Sequence, residues 1–196
     1  MKINSIKAKL LMLLFISIFI SFVILGFYNA QSSYSSQDQL VKQSSLNLAR
    51  ETSKFINSYL KSKIDIVKAV RDVMPTDKEF NINNIDIEKK LKLGSDSGGF
   101  DMLYIGVDKN GNFLGSNGKK RTPQTTEYDS RKRGWYKQAL NDNKAGITSP
   151  YVDFDTKKLV VSIFAPVKKG SSTIGVVSSD IFIDTIVDTI LKVKLE

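Results

Sequence analysis

The hydrophobic positions of this chain follow three different patterns, and the first is an uninterrupted run. Residues 10–28 contain no charged side chain over nineteen positions. At a rise of ~1.5 Å per residue, a helix of this length matches the ~30 Å hydrocarbon core of a bilayer. Lys2, Lys7 and Lys9 precede the run. The pattern therefore predicts a transmembrane helix whose preceding residues, 1–9, stay in the cytoplasm.

A cleaved signal peptide is the alternative interpretation of this run. The apolar region of a signal peptide is usually ~7–15 residues long and ends before an Ala-x-Ala-like cleavage site. Here the run is longer, and the sequence Tyr28-Asn29-Ala30 at its end is a poor cleavage site. We therefore expect an uncleaved anchor in the inner (cell) membrane, with the rest of the chain in the periplasm or outside the cell.

The second pattern is a helical periodicity over residues 36–74. Apolar residues recur mostly at steps of three and four, charged residues fall between them, and Pro75 ends the pattern. A helix of this length extends roughly 58 Å. Such a length suits a long amphipathic stalk helix that pairs with a second copy of the chain in a homodimer. Two shorter helices that separate near Ser44-Ser45 are the alternative.

The third pattern, over residues 75–184, is a series of apolar strands separated by turns. The sequence Asp108-Lys109-Asn110-Gly111 is a strong hairpin signal between two of them, and residues 94–99 predict a loop. This order predicts an α+β fold: a PAS-like antiparallel sheet with helices on one side, followed by a linker that starts at residues 185–196. The predicted strands are 102–107, 113–116, 159–166 and 173–183, and the predicted helices are 87–93, 135–140 and 184–194.

Composition excludes several classes of function. The chain contains no Cys and no His, which excludes the usual zinc sites, Cys–His nucleophiles and imidazole acid–base catalysis. Its net charge of +9 is dispersed without a long basic stripe, so we expect no nucleic-acid binding. Carboxylate pairs such as Asp153 and Asp155 occur without a nucleophile–base arrangement or a phosphate loop. We therefore expect neither an enzyme nor a bound metal or cofactor.

The candidate chemistry lies between residues 128 and 153, with one distant partner. A free α-amino acid carries a carboxylate and an ammonium group on one carbon, so its host needs both signs of charge. Arginine offers a rigid donor fork to a carboxylate, whereas aspartate and aromatic faces attract an ammonium group. Both halves of such a host are present here. The candidate residues are Tyr128, Arg133, Trp135, Tyr136, Tyr151, Asp153 and Asp180.

These seven residues resemble the motif of the double-Cache (dCache) sensor domains of bacterial chemoreceptors, the methyl-accepting chemotaxis proteins, in the subgroup that binds amino acids. The family motif is a Tyr, then Arg-x-Trp-Tyr, then Tyr-x-Asp, then a remote Asp at the end of a late strand. The resemblance implies that Arg133 and Trp135 hold the ligand carboxylate, while the aspartates and tyrosine hydroxyls hold its ammonium group. Gly134, where Pro is frequent, and Ser179, where a small apolar residue is usual, depart from the family pattern.

The resemblance covers the first span, the long helix and the membrane-distal module of such a receptor. A complete receptor of this family would add a membrane-proximal module, a second span and a cytoplasmic signalling region. The resemblance implies that the chain is the ligand-sensing region of a chemoreceptor for an L-amino acid. The same input module also occurs on histidine kinases and diguanylate cyclases. A truncated receptor product that binds ligand or dimerises without signalling is a further alternative.

Overall fold

The computed structural model describes residues 6–76 and 80–193. The chain divides into two compact units, Met1–Ser53 and Lys54–Glu196. Helix α1 (Ile6–Asp72) forms the described part of the first unit, and its last residues belong to the second. Within the described ranges, α1 is the one helix that is long and apolar enough to cross a membrane by length and composition.

Helix α1 contains both the predicted membrane span and the predicted stalk. It is continuous at Ser44-Ser45, so the alternative of two separate helices is wrong. The helix ends at Asp72, two residues before the predicted end. The physical reason is Pro75, because its ring disfavours helical backbone angles at the preceding residue, Met74.

The second unit is built around an antiparallel sheet. The strands are β1 (Leu103–Val107), β2 (Phe113–Gly115), β3 (Lys120–Arg121), β4 (Gly146–Ile147), β5 (Tyr151–Val152), β6 (Leu159–Lys169) and β7 (Ser172–Phe182). Their order in the sheet is β3-β2-β1-β7-β6-β4, and β5 also pairs with β6. The two long strands β6 and β7 are neighbours and form the longest pairing. The predicted α+β fold with an antiparallel sheet is therefore confirmed.

Short helices connect these strands. A 3₁₀ helix, Ser130–Lys132, leads into α4 (Gly134–Asp142), and α5 (Ile183–Val193) begins at the residue that directly follows the end of β7. The β1–β2 connection is the predicted hairpin, in which Gly111 adopts a φ of +74°. The remaining helices are α2 (Ile85–Gly98) and α3 (Pro123–Thr126).

Helix α2 is longer than predicted, so the expected loop at residues 94–99 is wrong for most of that stretch. Asn84 caps the helix start, with its side chain accepting from the Asp86 amide. Gly94 is a close-packing residue, because a Cβ there would lie 2.2 Å from Cγ2 of Val70 on α1. The helix stops at Gly99, whose left-handed backbone is the usual helix C-cap conformation.

One face of the sheet packs against α1 and α2. Val67 of α1 and Leu91 of α2 are completely buried there, together with Ile163 of β6 and Val177 of β7. Burial of apolar side chains on both layers stabilises the unit by about 25 cal/mol per Å² of apolar surface removed from water. This apolar cluster is the structural core of the second unit.

The opposite face of the sheet is aromatic. Tyr104 of β1 and Phe164 of β6 pack with Trp135 and Tyr136 of α4. Successive residues of a strand point to opposite faces, which separates this cluster from the apolar one. Helices therefore cover both faces, and the expectation of helices on one side only is wrong. Residue periodicity alone did not indicate to which face the short helix α4 belongs.

Candidate ligand-binding site

The second unit contains a cavity of about 230 Å³ beside the aromatic cluster. Its wall combines aromatic rings with side chains of both signs of charge. The strands β1, β2, β3, β5 and β7 and the turn after β5 contribute to it. The lining residues are Asp101, Met102, Tyr104, Phe113, Asn117, Lys119, Arg121, Tyr128, Arg133, Trp135, Tyr151, Asp153, Phe154, Asp155, Thr156, Asp180 and Phe182.

The structure brings six of the seven predicted site residues to this one cavity. They come from four separate stretches of the chain, and the strand pairings place Asp180 of β7 beside β6 and, through it, β5. The six residues are Tyr128, Arg133, Trp135, Tyr151, Asp153 and Asp180.

Tyr136 is the exception, because it does not line the cavity. Its side chain is completely buried, and its hydroxyl donates to Oδ1 of Asp108 at 3.0 Å. Its ring packs against the ring of Trp135 with the centroids 5.4 Å apart. Burial raises the pKa of the Tyr136 hydroxyl, and the Asp108 charge adds to this effect. Tyr136 therefore supports Trp135 from behind, and the structure does not bring it to the cavity with the other six predicted residues.

The β1–β2 hairpin holds the segment that carries Arg133. The Ser130 amide donates to the Gly111 carbonyl at 2.9 Å. The Asp129 side chain accepts from the Arg131 amide and thereby caps the 3₁₀ helix. A Cβ at position 111 would lie 2.2 Å from Oδ1 of Asp129, so glycine is required for this approach. Arg133 follows in an extended conformation at the start of α4.

Gly106 of β1 provides the space that Trp135 occupies. A Cβ at position 106 would lie 2.7 Å from Cη2 of Trp135 and 2.7 Å from Cβ of Ser130. Trp135 is 3% exposed, and its ring meets Tyr104 edge to face with the centroids 5.1 Å apart. The indole is thus fixed by packing on the wall of the cavity.

The guanidinium group of Arg133 is held by aromatic rings. Its Cζ lies 4.6 Å from the ring centroid of Phe154 and 5.4 Å from that of Tyr128. Burial raises the pKa of Tyr128 to about 12, although the positive charge of Arg133 opposes this shift. Within residues 6–76 and 80–193, Arg133 has no carboxylate partner, whereas the neighbouring Arg121 is paired with Asp155 at 2.6 Å. Arg133 can therefore bind an anion from outside the chain.

Asp180 provides the negative end of the cavity. Its Oδ1 accepts hydrogen bonds from the hydroxyls of Tyr104 at 2.8 Å, Tyr151 at 3.3 Å and Ser162 at 2.5 Å. Its Oδ2 has no hydrogen-bond partner in the part of the chain that the structure describes. Burial raises the pKa of the Asp180 carboxyl above the ordinary value, and the nearby Asp153 charge adds to the rise. No side-chain cation neutralises this carboxylate within the described ranges.

Asp153 has a structural task in addition to its place on the cavity wall. Its Oδ2 accepts from the amides of Asp155 at 3.0 Å and Thr156 at 2.7 Å, and from the Thr156 hydroxyl at 2.8 Å. These bonds build the turn between β5 and β6, where Lys157 has a φ of +58°. Asp153 thus shapes the turn and adds negative charge near Asp180.

Several residues that line the cavity or contact Asp180 were missed at the level of sequence. Tyr104 and Ser162 carry hydroxyl groups inside otherwise apolar strands, and both are buried on Asp180. A polar group in a buried strand needs a partner, and this signal could have found them. Arg121 and Phe154 gave no such signal, because their contacts depend on how two loops meet in space.

Residues 56–188 match the family model described as methyl-accepting chemotaxis protein-like, first PDC sensor domain. The chain belongs to this family of sensor domains. The family predicted from the Tyr128–Asp180 motif is thereby confirmed. The chemotaxis protein PscA of Pseudomonas syringae pv. tomato is 28% identical over 166 residues, which are 84% of this chain and 25% of the relative. McpA of Bacillus subtilis is 27% identical over an alignment of 202 residues, gaps included, which covers 99% of this chain and 29% of the relative.

The chain thus spans about a quarter of the length of these curated relatives. Among solved structures, the ligand-binding domain of Mlp24 with asparagine is 26% identical, with a TM-score of 0.62 over 75% of this chain and 59% of that one. The ligand-binding domain of the Pseudomonas aeruginosa amino-acid chemoreceptor PctC in complex with GABA is 24% identical and has a TM-score of 0.62. This match covers 74% of this chain and 65% of that one. The sensor domain has the fold of chemoreceptor ligand-binding domains.

Proposed function

We propose that the chain is the ligand-sensing region of a membrane-anchored chemoreceptor, and that its cavity binds an L-α-amino acid. The observation that carries this proposal is a pair of unmatched charges in one cavity. Among the described residues, Arg133 lacks a carboxylate partner and the largely buried Asp180 lacks a cationic one. A buried charge without an opposite partner is costly. A zwitterionic ligand would compensate both charges at once.

The arrangement of donors and acceptors gives the ligand a direction. Arg133 would bind the carboxylate through two parallel N–H donors, and Trp135 would form the wall next to it. Asp180 would accept from the ammonium group through its free Oδ2. Asp153 and the hydroxyls of the surrounding tyrosines would complete this end. Tyr128 lines the same cavity, and its ring packs against the guanidinium groups of Arg121 and Arg133 at the carboxylate end.

The structural neighbours support this class of ligand. Asparagine, present with the Mlp24 domain, and GABA, present with the PctC domain, each carry one carboxylate and one ammonium group. A host for such molecules needs a cation and an anion, and Arg133 and Asp180 both line this cavity.

The proposed function also includes how the chain is anchored in the membrane and which type of signalling region it controls. The apolar part of α1 would anchor the chain in the cell membrane, with the sensor unit in the periplasm or outside the cell. Relatives that are methyl-accepting chemotaxis proteins favour a chemoreceptor output over a histidine kinase or a diguanylate cyclase. Binding would bias the second unit between two conformations, and a ligand shifts this balance only through different contacts in the two states.

We also propose that the first unit pairs with a second copy of the chain. Tyr34, Val41 and Leu48 of α1 are exposed and follow one another at steps of seven residues. Apolar residues at this spacing form one stripe on a helix, which is the seam of a two-stranded coiled coil.

The test of the ligand class is calorimetry of the full chain in nanodiscs against the twenty L-amino acids, followed by two variants. We expect Asp180→Ala and Arg133→Ala each to weaken binding of the best amino acid. Loss of one partner of a buried charge pair costs ~2–5 kcal/mol, or roughly 30-fold to several thousand-fold in affinity. Lys92→Ala and Asp96→Ala are the matched controls, since they remove the same charges from an exposed pair on α2.

Two results would contradict the proposal. One is the absence of binding by any amino acid to a folded sample. The other is an Arg133→Ala variant that loses the ligand while Asp180→Ala binds it as well as the parent. A monocarboxylate without an ammonium group, such as lactate, would behave in this second way.

A further inference from the structure

Two guanidinium groups share the same pair of aromatic rings in the cavity. The Cζ of Arg121 lies 4.8 Å from the ring centroid of Tyr128, and the Cζ of Arg133 lies 5.4 Å from it. Phe154 is likewise within 6.0 Å of Arg121 and 4.6 Å of Arg133. The carboxylate-binding wall therefore carries a second arginine next to the first.

The second arginine is already occupied by a carboxylate of the chain. Nη2 of Arg121 contacts Oδ1 of Asp155 at 2.6 Å and Oδ2 at 2.7 Å, and Nζ of Lys119 contacts Oδ2 at 2.8 Å. Burial opposes ionisation of Asp155, but the hydrogen bonds from Lys119 and Arg121 outweigh it and lower the pKa of this carboxyl. Asp155 is therefore charged at neutral pH, and both of its oxygens are engaged.

We propose that Asp155 makes the cavity selective for amino acids with a neutral side chain over those with an acidic one. This inference rests on the proposed amino-acid function and assigns the class of ligand side chain. A ligand whose α-carboxylate sits on Arg133 brings a side-chain carboxylate towards the neighbouring Arg121. An unoccupied arginine would bind that group with two hydrogen bonds. Asp155 takes this position instead and repels a second negative charge.

The place of Asp155 in the chain suits this role. It lies in the turn after β5, two residues beyond Asp153, whose Oδ2 accepts from the Asp155 amide. The turn therefore fixes the Asp155 backbone independently of its side-chain carboxylate. Replacement by asparagine keeps the size of the side chain and this backbone bond, while it removes the negative charge from Arg121 and Lys119.

The test compares two isosteric ligand pairs, asparagine with aspartate and glutamine with glutamate. Their affinities are measured by competition against the best neutral amino acid, on the full parent chain and on Asp155→Asn. We expect the parent to prefer the neutral member of each pair. In Asp155→Asn, the preference for the neutral ligand should fall by about tenfold. The reason is that Arg121 and Lys119, which lose their carboxylate partner, are only partly exposed, so the effect lies between that of a surface ion pair and that of a buried one. Asp96→Asn removes the same charge from an exposed helix pair and should leave the preference unchanged.

The outcomes separate this inference from the proposed function. Unchanged neutral-to-acidic ratios in Asp155→Asn would overturn the inference alone, as would a parent that binds aspartate and asparagine equally well. Absence of binding by every amino acid to folded parent and variant would overturn the proposed function, and this inference with it. Loss of all binding in Asp155→Asn, with unfolding excluded by circular dichroism, would show that Asp155 holds the turn and does not set specificity.

Discussion

Asp180 links ligand binding to protonation at the scale of a single residue. Burial raises the pKa of its carboxyl above the ordinary value of 3.8. An ammonium ligand needs the ionised form, which also accepts from Tyr104, Tyr151 and Ser162. In the ligand-free protein, the raised pKa affects stability in the opposite direction. The contribution of Asp180 to the free energy of unfolding is fully present below the unfolded pKa and is lost as the pH rises through the folded pKa.

The first residue-scale prediction follows from this linkage. We expect amino-acid affinity to fall as the pH is lowered from neutral through the raised pKa of Asp180, because its carboxyl takes up a proton and loses its charge. Calorimetry across this range measures the effect. Asp180→Asn cannot ionise, so its weaker binding should depend little on pH over the same range. A parent affinity that depends on pH no more than that of Asp180→Asn would contradict the assignment of Asp180 to the ammonium group.

Residue types and spacing predicted most of this site, because each motif residue has a side chain with a distinct chemistry. Trp135 and Tyr136 show the limit of such reasoning. Consecutive residues on a helix point in directions about 100° apart, so only one of them can face the cavity. Their sequence order does not say which one. The structure directs Trp135 to the cavity and Tyr136 to Asp108.

At the scale of elements, the close contact between α1 and α2 decides how the sensor unit packs. Gly94 lies in the middle of α2, where a glycine lowers helix stability by roughly 1 kcal/mol relative to alanine. Glycine at this position allows α2 to lie close to Val70, which is 6% exposed and has a stiff, branched side chain. The steric requirement therefore exceeds the helix propensity at this position.

We accordingly expect Gly94→Ala to destabilise the sensor unit by about 1–3 kcal/mol, the usual cost of overpacking a core. Gly134→Ala is the matched control, since a Cβ there meets nothing within 4 Å at the first residue of α4. It should be neutral or slightly stabilising. Chemical unfolding followed by the fluorescence of Trp135, the single tryptophan, measures both. A stabilised Gly94→Ala variant would contradict the packing argument.

The elements themselves were predictable where their pattern was regular. The strands β6 and β7 and the β1–β2 hairpin match the predictions, because apolar runs and a strong turn signal define them. The length of α2 was not predictable, because Gly94 and Gly98 have the composition of a loop. Glycine occupies these two positions because other side chains lie close to them, and this proximity exists only in the folded chain.

At the scale of the whole molecule, we predict the orientation of the chain in the membrane. A reporter enzyme that is active only outside the cytoplasm, fused after Glu196, should be active. The reason is the set of three lysines that precede the apolar part of α1. The same reporter fused after Lys9, before that part, should be inactive and serves as the control. An inactive reporter after Glu196 together with an active one after Lys9 would reverse the orientation, and a shortened soluble product would favour a cleaved signal peptide.

The direct passage from β7 into α5 has a mechanical consequence for the sensor unit. Only Ile181 and Phe182 separate Asp180 from the first residue of α5, and Ile181 is 5% exposed in the apolar core. A connecting loop would absorb a small displacement through its soft backbone angles, but no loop separates β7 from α5. We therefore expect a displacement of the Asp180 carboxylate to reach the first turn of α5 through this continuous backbone.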